Sequence, residues 1–247
     1  ARYVASGAAL KALDLSAGEP ILGLFAPKSM AYEHDRRTLK NDEPSLTEMA
    51  EAAITALAAQ SGGRGYFLMI EGGRLGQASH YGALHHVVTD GAAFADAVRR
   101  VAELTDANDT LLIVTADVAH SLAFNGYCGR GSPVPGLCYE IAQEGVRHGP
   151  ALARDATSAP YETTGFLNGP GAAETASGAL TAAKARDPLR RQRALIPMAT
   201  QTTSAADVPA YGRGPWAHLL GGVGEHIFLF HVMRHAAFGP AVSDGDG

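Results

Sequence analysis

Three short apolar runs, ILGLFAP (21–27), GYFLMI (65–70) and TLLIVTAD (110–117), are separated by longer stretches whose apolar residues recur at helical spacing. Runs this short suit strands covered on both faces, and strands separated by helices pair in parallel. The expected class is therefore α/β, a mainly parallel sheet sandwiched by helices. Ser45 and Glu48 have the spacing of a capping box, and Leu46, Met49, Ala53, Ile54 and Leu57 continue it as a helix over about 45–60. Leu84, Val87, Val88, Phe94, Val98 and Val101 form one stripe, which predicts a helix from near Ser79 to about Leu104 with Gly91 as a soft point. Glu71 comes directly off the second run and Asp117 closes the third. Both carboxylates are expected at strand carboxyl ends facing one crevice, where such sheets bind ligands.

From Cys128 to about Thr203 the periodicity fades into Gly, Pro, Ala and Ser. It returns with VPAYGRG as a strand, a short helix over Pro215–Leu220 and a last helix over Glu225–Phe238. The expected organisation is one domain: 1–127 as the first part of the core, 128–205 as an irregular insertion, and 206–247 as the second part. There is no internal repeat. Cys128 and Cys138 stand ten residues apart in a Gly- and Pro-rich stretch, where a disulfide and two unpaired thiols both fit.

Composition narrows the functional classes. The 247 residues are 46% hydrophobic and 18% charged, and no run approaches the roughly 20 apolar residues of a membrane span. A formal charge of -5, with the basic residues scattered apart from Arg190–Arg193, gives no field for a nucleic-acid backbone. The opening ARYVASGAALKALDL lacks the pattern of a signal peptide, which is expected to be absent or already removed.

Several segments taken together, GLFAPKSMAYE with DEPSLTEMAEAAI, FLMIEGGR, DTLLIVTAD, the NGPG turn, and YGRGPWAHL followed by FHVM, resemble the bacterial alkaline phosphatases from about Arg2 to Phe238. The resemblance implies phosphate monoester hydrolysis by a serine nucleophile with two zinc ions and a magnesium ion, in exported, periplasmic or secreted homodimers. Paired cations suit that reaction because they lower the pKa of the nucleophile and neutralise the transferred phosphoryl group. On the same resemblance Glu71 corresponds to a magnesium ligand, His80 to a ligand of the first zinc and Asp117 to a ligand of the second. His120, three residues beyond Asp117, is a further candidate for bound phosphate or metal, against a plain loop histidine.

The chain departs from the family pattern at several points. No segment carries the family's serine nucleophile, and neither Ser45, Ser121 nor Ser204 has a motif to replace it. Gly76 stands where the family has an aspartate, five residues after Glu71. Val118 stands for the histidine after Asp117, and Thr203 for the last zinc histidine in Gln201–Val208. One surviving ligand per metal predicts an impaired or inactive relative. The alternatives are a metal site rearranged from Glu71, His80, Asp117 and His120, completed by a chain supplying the missing half, and a non-catalytic binding or structural module that keeps a dimer surface near FLFHVM. His85 and His86 point about 100° apart on a helix and read as packing or solvent contacts. His231 and His235, one turn apart, lack a carboxylate to complete a metal site. GGVGEH (221–226) reads as a turn before the last helix, and nothing supports a sugar site for Glu71 and Asp117. With strands missing, apolar faces are expected to stay exposed and to favour association.

Overall fold

The amino-terminal part is built on β1 (Arg2–Val4), α1 (Gly7–Lys11), β2 (Ile21–Gly23), α2 (Glu33–Leu39), α3 (Leu46–Ser61), α4 (Arg74–His80), α5 (Leu84–Leu104) and β3 (Leu112–Val114). There follow β4 (Ala119–His120), β5 (Leu122–Phe124), β6 (Tyr139–Ile141), β7 (His148–Leu152), β8 (Thr164–Gly169), α6 (Ala182–Ala185), β9 (Ala194–Pro197), β10 (Thr203–Ser204), β11 (Tyr211–Arg213) and α7 (Phe228–Phe238). This computed structural model describes residues 1–176 and 180–239. Residues 240–247, the end of the expected third segment, lie outside the described residues. The fold is α/β with small, mixed sheets. β1 pairs with β2 and β8 with β9 in parallel, whereas β3–β11, β4–β10, β5–β8 and β6–β7 are antiparallel.

α3 starts where its cap requires. The Ser45 hydroxyl accepts from the Glu48 amide at 3.2 Å and the Glu48 carboxylate accepts from the Ser45 amide at 2.7 Å, satisfying two amides that the first turn leaves unpaired. The helix contributes to two apolar clusters. Ala52 packs with Val4, Leu10 and Ile21, while Ala50 and Ile54 pack with Val101 of α5 and with Leu68, Ile70 and Leu112. Tyr3 and Leu22, register partners in β1–β2, point the other way into solvent together with Leu24. Residues 65–70 differ from expectation. They belong to no strand, with Leu68 and Ile70 packed beneath α3 and α5 and Phe67 and Met69 exposed. The period-two burial of a strand is present, and a neighbouring ladder among the described residues is not.

The helix expected from Ser79 to Leu104 is two helices, because Gly82 (φ +65°) turns the chain between α4 and α5. A left-handed residue ends a helix, and glycine occupies it without strain. Gly91 lies inside α5 without interrupting it. Cys128 and Cys138 are joined as a disulfide, and the short helix after Pro215 is a 3-10 turn over Ala217–Leu220.

α2 lies across α5, and the carboxylate of Asp90 on α5 receives the first amide of α2, Glu33 N–H, at 3.2 Å. Desolvation pushes the Asp90 carboxyl up to about 6, against the pull of that N–H and of Arg74. A raised carboxyl means that the folded chain holds a proton the unfolded chain releases, so this group lowers stability as pH rises from about 4 through about 6. Asp90→Asn keeps an acceptor for the helix amide and removes the charge. The variant is expected to be more stable than the parent by about 1 kcal/mol at pH 8, allowing for the partial exposure of the carboxyl, and equal to it below pH 4, as read by urea unfolding at both values.

Candidate functional site

His80 is the last residue of α4, and the end of that helix is held by chain from far along the sequence. Gln201 N–H donates to the His80 carbonyl at 2.8 Å, and Gln192 N–H to the Gly82 carbonyl at 2.7 Å. The imidazole answers the first contact, since His80 Nδ1 lies 2.7 Å from the Gln201 carbonyl, an acceptor, and must therefore carry the proton. His120 reaches the same residue. Its Nδ1 is 2.6 Å from Gln201 Oε1, and the two imidazole centroids are 4.9 Å apart, nearly perpendicular.

The orientation of the Gln201 amide follows from its other contacts. Its nitrogen donates to the Thr202 carbonyl, which can only accept, and to Ser121 Oγ at 2.7 Å. Oε1 thus faces His120, whose Nδ1 is the donor. Both histidines in their neutral form then present an Nε2 lone pair, His80 held by the backbone carbonyl and His120 by the side chain of one residue that is 1% exposed. Asn168, in the NGPG turn, braces the loop from behind: its amide donates to Thr202 Oγ1 at 2.8 Å and accepts from Thr202 N–H at 2.9 Å.

Gly76 lies one turn before His80 on α4, and a Cβ placed there would sit 3.9 Å from His120 Nε2. Thr203 is the antiparallel partner of His120 between β10 and β4. The structure therefore gathers His80, His120, Gly76 and Thr203 in one place. Glu71 and Asp117 do not join them. The Glu71 carboxylate folds back over Gly73, and exposed Asp117 accepts from the Val118 amide at 2.9 Å. Among the described residues, no three His, Cys, Asp or Glu side chains are grouped as a metal site. An open cleft lined by Asn125, Glu162, Phe166 and Arg193 lies on the β5–β8–β9 sheet and includes none of the candidate residues.

The family model described as alkaline phosphatase matches residues 1–238. This chain belongs to the alkaline phosphatase family. It is 35% identical, over 96% of its length, to the tissue-nonspecific isozyme of alkaline phosphatase from Gallus gallus, and it covers 43% of that protein. The isozyme from Rattus norvegicus is 32% identical over 95% of the chain, which covers 42% of it. An alkaline phosphatase from Gadus morhua is 32% identical over 95%, with 46% of it covered. The chain thus spans less than half the length of these relatives. Among the described residues no helix is long and apolar enough to cross a membrane. The alkaline phosphatase resemblance draws attention to positions 76, 80, 120 and 203, but it does not single out Gln201, Ser121 or Asn168. The only sequence signal for Gln201 is its place two residues before Thr203, a polar residue in a segment that the resemblance already brings to the site.

Proposed function

We propose that this chain is a phosphate-monoester-hydrolase relative that is impaired or inactive as it stands. The observation that carries this reading is that His80 and His120 are both bonded to Gln201, the first through its backbone carbonyl and the second through its side-chain amide, with glycine and threonine where further ligands are expected. Zinc and magnesium, implied by the resemblance, find a poor donor set here. Zinc takes three or four protein ligands in a closed geometry, whereas His80 and His120 offer two nitrogens, and Gly76, Val118 and Thr203 offer no comparable donor. Glu71 alone is a weak inducement to magnesium, which needs an ordered oxygen shell.

A second reading, a phosphatase completed by another chain, is favoured by Tyr3, Leu22, Leu24, Phe67 and Met69, which are exposed on the side away from α3. Apolar residues grouped in this way mark a surface made to be covered, by a second copy or by a chain supplying the rest of the family's length. Export to the periplasm or the extracellular space accords with the resemblance and with the Cys128–Cys138 bridge. The test is hydrolysis of an aryl phosphate with zinc and magnesium present. The purified chain is expected to give no zinc-dependent turnover, and turnover by the chain alone contradicts the proposal. Turnover that appears only in complex with a second chain selects the partner-completed reading.

A further inference from the structure

His34, on α2, is 51 residues from His85, on α5, and the packing of the two helices brings them into contact. His85 Nε2 lies 3.0 Å from His34 Nδ1, with the rings at 89° and their centroids 4.5 Å apart. Two imidazole nitrogens at bonding distance, about 2.0–2.1 Å, from one cation are themselves about 2.9 Å apart in a tetragonal site and about 3.3 Å in a tetrahedral one. The observed separation suits either a shared proton or a shared cation.

The surroundings favour the cation. Both rings are half-buried and fixed on packed helices, so little freedom is lost on binding. The nearby Asp35 carboxylate supplies negative charge. A third imidazole, His86, stands 5.9 Å from His34 and 6.0 Å from His85, centroid to centroid. It is 6% exposed, and its buried Nδ1 has no hydrogen-bond partner among the described residues. An unpaired buried nitrogen is costly and accepts a partner readily. Tyr32 stacks on the His86 ring at 4.3 Å, beneath the Arg74 guanidinium, and holds it in the group.

We infer that His34 and His85 form a two-histidine site for Cu(II), the divalent first-row cation that nitrogen donors hold most tightly and one that accepts a tetragonal shell, with His86 beside them and water completing the shell. None of these residues coincides with Glu71, His80, Asp117 or His120, so the site stands apart from the phosphatase question. The test titrates the full chain with Cu(II) by calorimetry at pH 7.5. One equivalent is expected to bind, with affinity at least about tenfold weaker in His34→Gln and in His85→Gln and unchanged in His80→Ala and in a His231→Ala/His235→Ala double variant. Circular dichroism checks each fold, and His34→Gln, at the start of the short α2, serves alone if His85→Gln unfolds. Absence of saturable binding, affinity unchanged in the folded His34 or His85 variant, or loss of binding in His80→Ala overturns the inference.

Discussion

Replacing Glu162 by leucine is expected to destabilise the chain by about 3–5 kcal/mol, a large part of the margin of an ordinary domain. Glu162 is 2% exposed, and its carboxylate receives both terminal nitrogens of the Arg190 guanidinium, which is 5% exposed at its side chain, together with Gln192 Nε2 at 2.8 Å. Gln192 also donates to the Thr164 carbonyl and sends its backbone N–H to Gly82, so the carboxylate lies behind the loop that turns α4 into α5. Removing it leaves a buried guanidinium without its counter-ion, which costs more than the ion pair itself contributes. Guanidinium unfolding curves of Glu162→Leu measure the loss. The double variant with Arg190→Met is expected to recover a substantial part of it, because the buried guanidinium is then gone and the carboxylate's other partner, Arg193 at 3.9 Å, is partly exposed, whereas equal and additive losses would show that the two side chains are not coupled.

Putting ligands back is expected to create zinc affinity where the parent has little. Gly76 lies within α4, and a Cβ there meets only His120 Nε2, at 3.9 Å, so a side chain can start there without a clash and directed at that imidazole. Thr203 faces His120 across an antiparallel pair, a spacing at which cross-strand side chains touch. Gly76→Asp combined with Thr203→His adds a carboxylate and an imidazole to His80, a three-ligand set of the kind that zinc accepts. Zinc binding attributable to His80 is expected to tighten by roughly a thousandfold or more, about 4 kcal/mol, and to vanish when His80→Ala is added. Zinc affinity that stays at the parent level in the folded variant would mean that these positions do not converge as described.

Much of the framework was legible in the sequence because its determinants are local. The Ser45–Glu48 box fixes the start of α3 within a few residues, and the stripe from Leu84 to Val101 marks α5. The break at Gly82 is not visible in the pattern, which is compatible with continuous helix, since the left-handed turn is stabilised by Gln192, 110 residues away. The run at 65–70 has the apolar character of a strand, yet strands are completed by neighbours that a local pattern does not contain. At the site, His80 and His120 could be named in advance, but not that one residue, Gln201, would hold both, through its backbone carbonyl and its side chain. His85 and His86 read as packing or solvent contacts, which accounts for His86 stacked on Tyr32 and leaves out the partner of His85, which lies on another helix.

The most direct test of the proposed loss of phosphatase chemistry compares the purified chain with His80→Ala, measuring bound zinc and aryl phosphate turnover on the same samples. The account predicts that the substitution removes no zinc and that neither protein turns over the ester. Near-stoichiometric zinc that disappears with His80, accompanied by turnover in the parent alone, would contradict it.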